Sequence, residues 1–164
     1  MNFNFLTPVS DAVLVHNELT AQQALGKKIK VHSRQNGIPD LEGVQIAIIG
    51  VQENRNDVNY IGAEINFDSI RKTLYTLFPG NWHTTIADLG DIEPGETIED
   101  TYFAIRTAIT VLVEENIIPI ILGGGQDLTY ANYRAYDSIL PMVNILSVDA
   151  NFDLGDANLP IKNN

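Results

Sequence analysis

The chain has 164 residues, of which 45% are hydrophobic, 8% aromatic and 19% charged, an ordinary globular composition that excludes a disordered or fibrous chain. Ten basic against 21 acidic residues give a formal charge of −11, which argues against a nucleic-acid or anionic-membrane partner. The absence of cysteine excludes disulfides, thiolate-bound zinc, iron–sulfur clusters and thiol nucleophiles.

The opening Met1-Asn2-Phe3-Asn4-Phe5 has neither a basic region nor a long apolar run, so it does not read as a secretory signal. No stretch approaches the ~20 apolar residues of a membrane span. The expected location is therefore cytoplasmic. Residues 1–43 carry two helix-like pieces, Ser10–Leu19 and Thr20–Lys30, and a turn at Asn36-Gly37-Ile38-Pro39. They read as an N-terminal extension packed on the domain formed by residues 44–164.

Four apolar runs follow: Val44–Val51, His83–Gly90, Ile117–Gly123 and Met142–Asp149. Three of them are continuous β-branched or Leu-rich stretches, the pattern of strands buried on both faces of a parallel sheet. Helical spacing recurs between them. Phe67, Ile70, Leu74, Leu77 and Phe78 form one stripe, stopped by Pro79-Gly80. Ile98, Tyr102, Ile105, Ile109, Leu112 and Val113 form a second, with Thr97 as N-cap and Glu99 and Asp100 in the first turn. A shorter helix is expected from Thr129 to Ser138. The alternation predicts an α/β fold, three layers (α/β/α) around a mostly parallel sheet of about four strands.

Ligands of such sheets bind outside the carboxyl ends of the strands. Those ends carry Gln52–Asp57, Asp88-Leu89-Gly90-Asp91, Gly123-Gly124-Gly125-Gln126-Asp127 and Asp149–Asp156, all rich in oxygen ligands. The glycine triplet matches neither a P-loop nor a dinucleotide fingerprint. It does permit unusual backbone angles that bring Gln126 and Asp127 close over the strand ends. Asp149, Asn151 and Asp153 alternate, so in an extended segment they share one side and form a hard, all-oxygen partial cation site. An EF-hand is excluded, since Leu154 and Pro160 stand where glycine and glutamate are required. His16, His32 and His83 are scattered and read as structural or exposed. Trp82 and the Tyr130, Tyr133 and Tyr136 stripe read as packing groups.

In combination, Gly123-Gly124-Gly125-Gln126-Asp127 and Asp149-Ala150-Asn151-Phe152-Asp153 resemble two first-half motifs of the ureohydrolases, the arginase, agmatinase and formimidoylglutamase enzymes. Gly50-Val51, Gly62-Ala63, Ile70-Arg71 and Asp88-Leu89-Gly90-Asp91 are similar to further family segments in the same order. The triple glycine and Asn-Phe-Asp-Leu lean towards formimidoylglutamase. The resemblance covers about residues 44–156. It implies half of an arginase-like fold and, in the complete family, manganese-dependent hydrolysis of a guanidino or formimidoyl C–N bond. It also implies that Asp149 and Asp153 are retained metal positions, while Gln126 and Asn151 stand where the family has histidine. The family's later Asp-x-Asp pair has no counterpart up to Asn164.

An amide oxygen is a poor manganese ligand beside an imidazole. The expectation is therefore a chain that is not catalytic alone and holds manganese weakly or not at all, with small-molecule substrate binding only if it is active. The alternative is a non-catalytic structural or interaction protein on a degenerate arginase-like fold. Incomplete sheet edges lead to the further expectation of a homo-oligomer, a dimer.

Overall fold

A computed structural model describes residues 3–57, 64–137, 139 and 142–149. Its centre is β3 (Ile46–Val51), flanked on one side by β4 (Ile86–Ile92) and on the other by β5 (Ile118–Leu122), both parallel to it. Every residue of β3 after Ile46 is buried, as the continuous apolar run required. Two short strands from the N-terminal residues complete a five-stranded mixed sheet. β1 (Leu6–Thr7) runs antiparallel along the far end of β4, with Leu6 opposite Ile92, and β2 (Lys30–Val31) runs parallel along its start, with Lys30 opposite Ala87.

The layers follow from strand alternation. Ala47, Ile49, Val51 and Leu89 pack with Ile105, Ala108, Ile109 and Leu112 of α3 (Ile98–Glu114) and with Leu128 and Ala131 of α4 (Leu128–Arg134). A second cluster joins Val9, Val13 of α1 (Asp11–Glu18), Ile29 and Tyr75 of α2 (Asp68–Thr76), with Val31 and Ile86 packed against it. Thr97 caps α3 as expected, its hydroxyl accepting from the Asp100 N–H while the Asp100 carboxylate accepts from the Thr97 N–H at 2.8 Å. Such a reciprocal cap satisfies two otherwise orphaned donors.

Four expectations are corrected. The run Met142–Asp149 is not a strand; it joins no ladder of the sheet among the described residues, and Met142, Ile145, Leu146 and Val148 stand exposed. A strand exists only where a neighbour completes its ladder, and no described residue supplies one there. The expected helix Thr20–Lys30 reduces to a single 3₁₀ turn at Leu25–Lys27. Trp82 is 80% exposed, and Tyr130 and Tyr133 are exposed as well, so of the aromatic stripe only Tyr136 packs against the core.

The fourth correction concerns α2, whose buried face is Phe67, Arg71 and Tyr75 rather than Ile70, Leu77 and Phe78, which are exposed. The reason lies in β4, where Asp88 and Asp91 are buried carboxylates. Charges in a sheet interior require a counter-charge, and Arg71, 1% exposed, supplies it. Its Nε donates to Asp88 Oδ2 at 2.9 Å, and its Nη2 to Asp88 Oδ1 at 3.1 Å and to the Gly90 carbonyl at 3.0 Å, with Asp91 Oδ1 at 2.7 Å. Tyr75, one turn along, donates its hydroxyl to Asp88 Oδ2 at 2.9 Å. The register slips here: Ile48 faces Asp88, yet Gly50 faces Asp91, so β4 carries one extra residue. That bulge includes Gly90 at φ +84°, where a Cβ would lie 1.9 Å from the Thr7 carbonyl oxygen of β1. Only glycine admits both the angle and the close approach.

Candidate functional site

The chain leaves β3 for β4 on one side and then crosses to β5 on the other. The strand order reverses between β3 and β5, and at such a point the strand ends splay into a crevice. The loops after these two strands meet there. Gly125 donates its N–H to the Glu53 carbonyl at 2.7 Å, tying one to the other.

The first loop is organised by Glu53, fully buried at the end of β3. Its carboxylate accepts the Arg55 N–H at 3.0 Å, Arg55 Nε at 2.9 Å and the Thr101 hydroxyl of α3 at 2.9 Å, and Arg55 Nη2 completes the ion pair. Burial works to raise the Glu53 carboxyl, but the hydrogen bonds from Arg55 and Thr101 outweigh it and hold the group below its ordinary value of 4.5. Arg55 also donates to the Glu96 carbonyl at 3.1 Å, anchoring the loop ahead of α3.

The second loop turns on Gly123 and Gly124, at φ +67° and +83°. A Cβ on Gly123 would stand 2.4 Å from the Phe67 ring, so the sequence Gly-Gly is what lets the loop fold over the strand ends. Beyond it, Asp127 Oδ2 accepts the Tyr102 hydroxyl of α3 and Asn56 Nδ2 at 3.3 Å, and Asn56 also donates to the Tyr102 oxygen at 3.1 Å. Burial, and then the Asp127 acceptor, push the Tyr102 hydroxyl well above its ordinary value, so it remains a donor. The clamp sets the position of Gln126, whose Nε2 donates to Asp149 Oδ2 at 3.1 Å on the exposed mouth of the crevice.

The structure thus brings together two of the four singled-out residues, Gln126 and Asp149. Asn151 and Asp153 lie outside the described residues. Asp88 and Asp91, read from sequence as part of an oxygen-rich strand end, are instead consumed by Arg71 inside the sheet. Sequence reasoning missed Glu53, Asn56, Thr101 and Tyr102 as a network. Tyr102 sat on the apolar stripe of α3 and was absorbed as core, although its hydroxyl needs a partner when buried.

As a manganese site, the described donors are one carboxylate and one amide, the amide presenting N–H to the carboxylate. Among the described residues no three His, Asp or Glu side chains converge. This set does not fit a two-ion centre, and no chemical step is derived through one. Among the described residues no helix is long and apolar enough to cross a membrane.

Residues 44–164 match the family model described as the arginase family. A formimidoylglutamase of Streptococcus gordonii is 34% identical over 125 residues, covering 70% of this chain and 37% of that protein. A Trypanosoma cruzi formiminoglutamase solved with Mn²⁺ is similar in fold, with a TM-score of 0.52 and 24% identity over 62% of this chain and 38% of the other. An agmatine ureohydrolase of Thermoplasma volcanium gives a TM-score of 0.54 at 20% identity, over 72% of this chain and 40% of the other. The chain spans about two-fifths of the length of these relatives.

Proposed function

Because the chain belongs to the arginase family of ureohydrolases, we propose that it provides part of a formimidoylglutamase-type hydrolase, acting on the C–N bond of a formimidoyl or guanidino group only when completed by further polypeptide. The observation that carries this reading is the meeting of Gln126 and Asp149 at the mouth of the β3–β5 crevice. Both stand at positions that, by family resemblance, hold metal. In the complete assembly manganese would supply a bound water acidified towards neutrality. This chain's own contribution is the frame: the Glu53–Arg55 and Tyr102–Asp127 clamps hold the two strand-end loops in a fixed relation.

The chain alone is inactive on this reading. Its described donors fall short of a two-ion set, and the amide at 126 is engaged with the carboxylate at 149. That same engagement favours the second reading, a non-catalytic member in which an amide–carboxylate hydrogen bond replaces metal ligation. Release of formamide, ammonia or urea from formimidoylglutamate, agmatine and arginine tests the proposal. The expected result is none from the purified chain, with or without added Mn²⁺. Turnover abolished by Asp149→Ala would overturn it. The pair Gln126→His and Asn151→His should also leave the isolated chain inactive.

A further inference from the structure

Two glycines near the ends of β3 and β5 face one side chain from opposite edges. Gly50 lies within β3 and has no positive φ, so its backbone does not call for glycine. The space does: a Cβ there would lie 2.5 Å from Phe67 Cδ2 and 2.8 Å from Cε2, and would also meet the Asp91 carboxylate. A Cβ on Gly123 would meet the other edge of the same ring, at Cε1 and Cζ. Phe67, 4% exposed, is thus seated in a socket left by two absent side chains, one on β3 and one just past β5. Its place in α2 does not explain it. Phe67 stands at the N-cap without a side-chain cap hydrogen bond, and Asn66 accepts the Asp68 N–H at 2.7 Å instead. Oxygen-bearing side chains are what that position favours.

The ring also has a cation beside it. Arg71 Cζ lies 5.9 Å from the ring centroid, within the range of a cation–π contact, and the same guanidinium pairs with Asp88 and Asp91. Phe67 therefore stands between the buried ion network of β4 and the loop that carries Gln126. Gly123 and Gly124 have no side chains with which to fix that loop, and glycine backbone is the most costly to order. We infer that Phe67 is a positioning residue of the crevice: its ring fixes the glycine loop from the α2 layer, as the Tyr102–Asp127 clamp fixes it from the α3 layer. The consequence for Gln126 rests on the proposed function above, which takes the Gln126–Asp149 pair as the site.

Phe67→Leu keeps an apolar side chain but not the flat ring, so it fills only part of the socket. In NMR of the purified chain, the Gly125 amide, bonded to the Glu53 carbonyl, should exchange slowly, and Phe67→Leu should speed that exchange about tenfold or more. The amides of β4 should keep their rates. Asp149→Asn, which removes the charge that Gln126 Nε2 donates to, should displace the Gln126 side-chain amide signals, and this response should vanish in the Phe67→Leu chain. The urea-midpoint shift caused by Gly123→Ala should shrink in the Phe67→Leu background, since the ring it collides with is gone. Circular dichroism checks the fold, and should the Leu variant unfold, Phe67→Met, a flexible filler, takes its place. Unchanged Gly125 exchange in a folded variant would overturn the inference. So would a surviving Gln126 response, an undiminished Gly123→Ala shift, or faster exchange spread evenly through β4. A Gln126 signal that ignores Asp149→Asn even with Phe67 in place counts against the functional reading, and the Gly125 exchange then decides the socket.

Discussion

Replacing Arg71 by methionine should be among the most damaging single changes in this chain. The guanidinium is 1% exposed and is shared by two buried carboxylates and the Gly90 carbonyl. Methionine keeps most of the apolar stem, so the loss is chiefly electrostatic: Asp88 and Asp91 are left in the sheet interior without a cation. Breaking a buried pair by removing one partner costs about 3–5 kcal/mol. Asp88 still receives the Tyr75 hydroxyl at 2.9 Å and the Gly90 N–H at 3.1 Å, which places the loss near the lower end, about 3 kcal/mol. Against a typical total of about 5–15 kcal/mol, that is a large share. For a chain of this size it lowers the melting temperature by roughly 6–12 °C. Urea unfolding followed by circular dichroism measures the free energy, and the slope checks that the unfolded state is unchanged. Arg71→Met together with Asp88→Leu should recover part of the loss, since an apolar pair carries no uncompensated charge. A single-variant loss below about 1 kcal/mol at unchanged slope would refute the idea that α2 docks through its buried cation.

Glu53 is held below its ordinary 4.5, so its contribution to stability is present above that value and is lost as pH falls through the lower, folded one; Glu53→Gln should flatten the acid limb of a stability–pH curve, and an unchanged limb would count against the Arg55 pairing. Gly123→Ala should destabilise by roughly 1–2 kcal/mol for the left-handed backbone and about 1–3 kcal/mol more for the collision with Phe67, read as a shift of the urea midpoint; a neutral result would mean the loop relaxes freely. Calorimetry at neutral pH should show no Mn²⁺ binding of micromolar or tighter affinity to the purified chain, while millimolar Mg²⁺ or Ca²⁺ binding at Asp149 is compatible with the donor set. Tyr75 and Tyr102 should ionise above the ordinary tyrosine range on alkaline titration, because burial raises both and the carboxylates of Asp88 and Asp127 raise them further; Tyr75→Phe and Tyr102→Phe should each remove one late step from the absorbance curve.

What the sequence disclosed and what it hid divide along the range of the interactions concerned. β3 and α3 were legible because their signals are local: a continuous apolar run, a period of 3.6, and a Thr97–Asp100 cap three residues apart. The glycine pair at 123 and 124 was legible as a tight loop for the same reason. Arg71 was not, because a cation next to Lys72 and Thr73 looks like a solvent-facing residue until Asp88, 17 residues on, is known to lie opposite it inside the sheet. Met142–Asp149 has the composition of a buried strand, but composition names no strand to pair with, and the segment joins no ladder among the described residues. For the site, Gln126 and Asp149 were found through a motif resemblance. The frame that positions Gln126 was not, since Tyr102 and Asp127 are 25 residues apart and join only through the packing of α3 against the β5 loop.

The seal that β1 places on β4 also carries a timetable. Leu6 lies opposite Ile92 and Thr7 opposite Asp91, so a two-residue strand waits on partners more than eighty positions later in the chain. On a ribosome synthesising ~5–20 residues per second, that wait lasts several seconds, during which Phe3 and Leu6, both buried in the finished fold, lack the Ile92 edge they pack with. So short a strand closing so long a loop gains little until the rest of the sheet is in place. Leu6 and Thr7 are therefore among the residues that settle late, and the nascent chain passes through a stage in which they are open to chaperones and proteases.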